Sequence, residues 1–352
     1  MFACTSCGDT VFVHQSCKHR FCAQCGAADT IKWANQMLSR LIDFKHFHVV
    51  TTLPKPLRVF AKMNDNLIFN LLFSTSADII KSWFKAKHNL RPGIVSVLHT
   101  SGSDLKFHPH VHMIVSGGGQ HFESGEYLKL KSQFLCAQQF LGDQLKIKFQ
   151  AKLIKLFEKG KIKTPRSISD KKSMINWLLN INQKHWIVAI QKPLDDIHQI
   201  IGYVGRYTKR ACISEYKITD VGQTINFQFN DYKNSPRGEK PKQAIKVLKP
   251  IEFLDQLLQH VPSKRYRMVR YYGLYNSLYL NKIPNQLKAT FEEKELSQND
   301  DFEWGEFEQF RKSLIRAGRP DPLFCYTCKQ NLAFIGILFN DKMINTFQYD
   351  SS

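Results

Sequence analysis

The segment LHTSGSDLKFHPHVHMIV, residues 98–115, sets His108, His110 and His112 at alternate positions in an apolar run, with His99 eleven residues before His110. In a β-strand, residues two apart point to one face, so the three imidazoles project together while Pro109, Val111 and Met113 face the other side. GIVSVLHT and HVHMIVS both read as strands, and Gly102, Ser103 and Asp104 can turn the chain between them. The two strands are expected to pair antiparallel and to bring His99 beside His110 and His112. This requires an antiparallel sheet with histidines clustered on one face. Such a cluster leaves coordination positions open and suits magnesium, manganese or zinc acting as a Lewis acid.

About ninety residues later the chain reads GYVGRYTKR, so Tyr203 and Tyr207 stand four apart, each with an arginine, Arg206 or Arg210, three positions on. On a helix this spacing presents two phenols to one site with the guanidinium groups beside them. A phenol of pKa near 10 is a weak nucleophile at neutral pH, and arginines next to a polarised phosphate assist both its activation and the transition state. Taken alone, an aromatic pair at helical spacing is usually core packing. Its weight here comes from the histidine strand upstream.

Charge narrows the partner class. Fifty Lys and Arg against 30 Asp and Glu give a formal net charge of +20, which favours a polyanion through counterion release. From Lys146 to Lys172 there are ten basic residues against Glu158 and Asp170, and residues 118–186 read as a basic, mostly helical insertion. Residues 291–310 carry eight acids and one lysine, a net of −7, leaving +27 on the rest of the chain. Strand-like runs such as FHVVTTL and TINFQFN alternate with helical stretches such as NLIFNLLFSTSADIIKSWFKAK, which implies an α+β fold. The N-terminus has no signal-type apolar region, and runs such as LIFNLLF are too short to span a bilayer, so a cytoplasmic location without membrane contact is expected.

Cys4, Cys7, Cys17, Cys22 and Cys25 crowd the first 26 residues, with Gly8 and Gly26 each following a CxxC pair. Cys4 and Cys7 followed after fourteen residues by Cys22 and Cys25 give a spacing close to that of a zinc ribbon, and a four-thiolate Zn2+ site is expected there. His14, Cys17 and His19 are left as substitutes or as ligands of a second ion. Cys325 and Cys328 form a last CxxC pair without neighbours in sequence, either half of a site completed in space or two ordinary thiols. The domain plan is a zinc module over residues 1–35, a core over 36–290, and an acidic linker with the terminal CxxC over 291–352.

The HVH strand followed by YxxxY resembles the HUH single-strand endonucleases, and within them the two-tyrosine transposases of rolling-circle insertion sequences. SCKHRFCAQCG, TTLPKPLR, PGIVSVLHTSGSDLKFHPHVHMIVSGGG, YVGRYTKRACIS and PSKRYRMVRYYGLYN all resemble segments of that family, so the similarity runs over most of the chain. It implies an HUH core of antiparallel sheet flanked by helices. His110 and His112 would bind Mg2+ or Mn2+, with Tyr203 and Tyr207 as nucleophiles that form 5′-phosphotyrosine intermediates. Relaxases of the same superfamily draw a third histidine from the preceding strand, which points to His99 here. The implied partners are single-stranded DNA at transposon ends and target DNA. Arg206, Arg210, His108 and Arg270 are the candidate DNA contacts, with Arg267, Tyr271 and Tyr272 nearby. The chain departs from the family pattern in starting three residues before Cys4, as a shortened N-terminus would, and in lacking the usual proline between Cys22 and Cys25. Two rival readings remain: a plasmid relaxase or replication initiator on the same core, and a nonenzymatic zinc-dependent DNA-binding relative.

Overall fold

The computed structural model describes residues 2–12, 33, 36–37, 40–132, 134–181, 186–191, 212–232, 234–236, 239–288, 321, 323–335, 337–339 and 342–345. The chain forms two compact units, one of residues 34–208 and 212–293, the other of residues 1–33, 209–211 and 294–352.

The larger unit is α+β. Its main sheet uses β1 (His46–Thr52), β2 (Leu90–Ser101), β3 (Phe107–His121), β4 (Tyr127–Lys129), β5 (Val188–Ile190) and, after the three strands introduced below, β9 (Val269–Gly273). The order is β9-β2-β3-β1-β5, with β4 added at the far end of β3, and every pairing is antiparallel. Alternation sorts the side chains by face. Phe47, Val49, Ile94, Leu98, Val111, Met113 and Val115 enter the main apolar core, whereas His48, His99, His110 and His112 point to the opposite face.

Helices cover the apolar face. α1 (Arg58–Met63) leads into α2 (Asp65–His88), whose Ile68, Leu72, Phe73, Ile80 and Phe84 are fully or almost fully buried. α2 stops at Asn89, which takes a left-handed conformation with φ 53° and returns its N–H to the carbonyls of Phe84 and Lys85. The chain then enters β2 at once. α3 (Gln138–Glu158) packs on α2, and α4 (Lys171–Ile181) packs on α3. Of the segment 118–186 expected as a basic helical insertion, residues 138–158 and 171–181 are helical while 118–121 and 127–129 belong to strands β3 and β4, and the apolar stripe Leu141, Leu145, Phe149 and Leu153 is buried in the same core as α2. Gly142 serves that packing: a Cβ there would lie 2.3 Å from the Trp186 carbonyl oxygen.

A second, smaller sheet joins β6 (Ile218–Val221), β7 (Ile225–Asp231) and β8 (Lys242–Leu248), followed by α5 (Pro250–Leu258). Its Phe227 and Phe253 close over Leu105, the buried residue at the tip of the β2–β3 hairpin. His260 Nε2–H donates to the Leu105 carbonyl oxygen (3.0 Å), and its Nδ1 accepts from the Thr100 hydroxyl (3.2 Å). The hairpin that carries the histidines is thus fixed at its tip as well as along its length.

In the smaller unit two short hairpins lie together. Phe2–Ala3 pairs with Thr10–Val11 and with Ala333–Phe334, and Phe324–Cys325 pairs with Gln330–Asn331. Phe2, Cys4, Leu323, Cys325 and Leu332 form its buried centre. Among the described residues no helix is long and apolar enough to cross a membrane.

Candidate metal centre

β2 and β3 pair in the register that the histidine spacing requires. His99 stands directly opposite His110, and His112 stands opposite Val97 on the same face. One ring nitrogen from each of His99, His110 and His112 lies within 4.8 Å of the others. The ring centroids are 4.2 Å apart for His99 and His112 and 4.9 Å for His110 and His112. His99 and His112 are buried, and the set contains no carboxylate.

Hydrogen bonding fixes which nitrogens carry protons. The His110 Nδ1–H donates to the His108 carbonyl oxygen at 2.6 Å, so Nε2 keeps its lone pair. His112 is set by a longer relay. Gln191 Oε1 can only accept, so the His48 Nδ1–H donates to it at 2.8 Å. His48 Nε2 is then the acceptor for the His112 Nδ1–H, again at 2.8 Å, and the lone pair of His112 is left on Nε2. Burial holds all of these rings neutral: it pulls His110 down to about 4, His112 well below the usual histidine range, and His48 below it as well. Neutral imidazoles with one lone pair directed away from a hydrogen-bonded N–H are the form in which histidine binds metal, and this donor set fits a divalent cation.

His48 and Gln191 were not picked out by the sequence reading. A signal for His48 existed, since HFH at 46–48 is itself a His-x-His on a strand-like run; Gln191, beyond the short edge strand β5, offered none. Partners of this kind orient a ligand and raise its basicity, and their loss typically costs about 10–100-fold in metal affinity. His48→Ala should therefore raise the divalent-ion concentration needed for half-maximal activity by about that factor while leaving the rate at saturating ion nearly unchanged. A metal titration of activity separates this from direct loss of a ligand.

His108 stands apart from the ligand set. Arg58 donates from Nη2 to its Nδ1 at 3.1 Å and from Nη1 to the Phe107 carbonyl oxygen at 3.0 Å. Because guanidinium only donates, the His108 proton resides on Nε2. Arg58 was likewise missed, although it closes the TTLPKPLR segment. Arg270 sits on the helix-covered face of β9, opposite Ser96, where it stacks 4.4 Å from the Phe73 ring centroid and hydrogen-bonds Asn70 and Tyr266. That places it on the face opposite the histidines, tied to α2. Tyr203, Tyr207, Arg206 and Arg210 lie outside the described residues, as do Cys22 and Cys25. Cys4 and Cys7 are described, and their thiols lie with those of Cys325 and Cys328.

Comparison with known proteins places two regions of the chain. A family model described as "Putative transposase" matches residues 93–285, and one described as "Transposase zinc-binding domain" matches residues 1–53. Among curated proteins, "Putative transposase y4qJ" of Sinorhizobium fredii (strain NBRC 101917 / NGR234) is 29% identical over 283 residues, covering 79% of this chain and 70% of the relative. "Transposase for insertion sequence element IS801" of Pseudomonas savastanoi pv. phaseolicola is 28% identical over 301 residues, covering 80% of this chain and 68% of the relative.

Proposed function

This chain belongs to the transposase family whose model covers residues 93–285, and from that premise we propose that it cleaves and rejoins single-stranded DNA at insertion-sequence ends through 5′-phosphotyrosine intermediates. The observation that carries the reading is the convergence of three imidazoles, His99, His110 and His112, on one face of a hairpin upstream of Tyr203 and Tyr207. A divalent ion held by these histidines would act as a Lewis acid on the scissile phosphate. Of the ions expected from the sequence, Mn2+ suits a site of imidazoles without a carboxylate better than Mg2+, which prefers oxygen ligands.

In the proposed reaction one tyrosine loses its phenolic proton and its oxygen bonds to phosphorus. The bond from phosphorus to the 3′ oxygen breaks, and that oxygen leaves as a 3′-hydroxyl after taking up a proton. A free 3′-hydroxyl then attacks the phosphotyrosine and returns the phenol. Each step exchanges one phosphate ester for another, so strand joining needs no nucleotide cofactor. Two tyrosines allow two strand ends to be held covalently at once. His108 Nε2–H, oriented by Arg58, is a donor at the rim of the cluster suited to a flanking phosphate. The lysines of α3 are carried on the helix-covered side of the sheet, and we assign them to DNA flanking the cleavage site.

The test is incubation with labelled oligonucleotides from the element ends, single-stranded and duplex, with Mn2+ and then with EDTA. The expected result is metal-dependent cleavage of the single strand, a free 3′-hydroxyl on one product and protein on the 5′ end of the other. Equal cleavage of duplex, or tight binding without cleavage in any divalent ion, would overturn the proposal.

A further inference from the structure

Cys4, Cys7, Cys325 and Cys328 come from opposite ends of the sequence, yet one thiol sulfur from each lies within 4.8 Å of all the others. The Cys7 and Cys325 sulfurs are 3.6 Å apart. A disulfide would need about 2.05 Å, whereas two thiolates at Zn–S distances of about 2.3 Å in a tetrahedron stand roughly 3.8 Å apart. The spacing is that of a metal site.

The two CxxC pairs are also built alike. Cys4 follows the strand Phe2–Ala3 and Cys325 ends the strand Phe324–Cys325, so each pair sits in the turn of a short hairpin. In each turn the residue after the second cysteine is left-handed, Gly8 at φ 72° and Lys329 at φ 55°. In each, that residue's N–H returns to the carbonyl of the first cysteine, Gly8 to Cys4 at 2.9 Å and Lys329 to Cys325 at 2.7 Å. For lysine this conformation is unfavourable, so the surrounding turn must hold it. The Cys328 N–H also points at the Cys325 sulfur, at 3.4 Å. The hairpins are joined by the pairing of Phe2–Ala3 with Ala333–Phe334 and by Ser6 Oγ donating to Gln330 Oε1 at 2.7 Å.

We propose that these four cysteines bind one structural Zn2+ and that the ribbon so formed is closed by two segments more than three hundred positions apart in the sequence. The zinc-binding match, residues 1–53, contains only half of this ligand set. Among the described residues the buried centre of the two hairpins comprises Phe2, Leu323 and Leu332 together with Cys4 and Cys325 themselves, and a metal bound by the thiols would cross-link the two hairpins there. Residues in the last thirty of the sequence would then be required for the N-terminal module to hold its ion.

The experiment uses the full-length, zinc-loaded protein and alkylation by N-ethylmaleimide, read residue by residue by mass spectrometry. The expected result is that Cys4, Cys7, Cys325 and Cys328 are protected together and become reactive together when a chelator strips the zinc. Metal counting gives an independent readout. The Cys325→Ser/Cys328→Ser variant should lose one zinc per chain, the Cys4→Ser/Cys7→Ser variant should lose one, and combining all four substitutions should remove no more than one. Ready alkylation of Cys325 and Cys328 while Cys4 and Cys7 stay protected would overturn the proposal even if the variants fold poorly. Full zinc content in the Cys325→Ser/Cys328→Ser variant would do the same.

Discussion

Replacing His112 by alanine is expected to lower single-strand cleavage by about three orders of magnitude, a loss that added Mn2+ does not restore. Removing one well-placed electrostatic stabiliser of a reacting centre typically costs about 10²–10³ in rate, and His112 is both a proposed ligand and the end of the Gln191–His48 relay. His110→Ala should behave alike, since its Nδ1–H is anchored to the His108 carbonyl and its remaining nitrogen faces the same cluster. DNA binding should persist in both variants, because the net charge of +20 is unchanged by removing a neutral ring. The contrast with His48→Ala is the informative part: excess ion should rescue the positioning variant and not the ligand variants. If all three are rescued alike, the histidines do not divide into ligands and support as described.

The second large effect is on stability. Phe149→Ala should destabilise the larger unit by about 3–5 kcal/mol, the usual cost of truncating a fully buried aromatic ring. Phe149 has no exposure and its ring centroid lies 5.3 Å from that of Trp186. Ile147 lies two residues away on the exposed side of the same helix, and Ile147→Ala should change stability by no more than about 0.5 kcal/mol. Thermal unfolding of the two variants distinguishes a helix that belongs to the core from one appended to it. Equal and small effects would mean that α3 packs independently of the sheet.

The same helix illustrates what could be read from the sequence. Its lysines dominate the composition between residues 146 and 172 and suggested an inserted basic surface, while Leu141, Leu145, Phe149 and Leu153, four apart, marked the buried stripe just as plainly. The β2–β3 hairpin was legible because both its strands and its turn are local in sequence, and period-two alternation fixes which residues share a face. Strand order was not legible. β1 lies between β3 and β5, so the contacts that set the His112 tautomer come from residues 64 and 79 positions away, and nothing in the local pattern announces them. The cysteines show the same limit at a larger scale. Spacing favoured joining Cys4 and Cys7 to the nearest CxxC, Cys22 and Cys25, which lie outside the described residues; among the described residues the thiols beside Cys4 and Cys7 are those of Cys325 and Cys328, more than three hundred positions away.

The central claim is that a tyrosine of this chain becomes covalently joined to DNA, and the most direct measurement is mass spectrometry of the peptide that carries nucleotide after reaction with single-stranded element ends and Mn2+. The account predicts a 5′-nucleotide on Tyr203 or Tyr207, absent when EDTA is present and absent from the Tyr203→Phe/Tyr207→Phe variant. Cleavage that leaves free 5′-phosphate and no protein-linked DNA, or a nucleotide attached elsewhere in the chain, would contradict it.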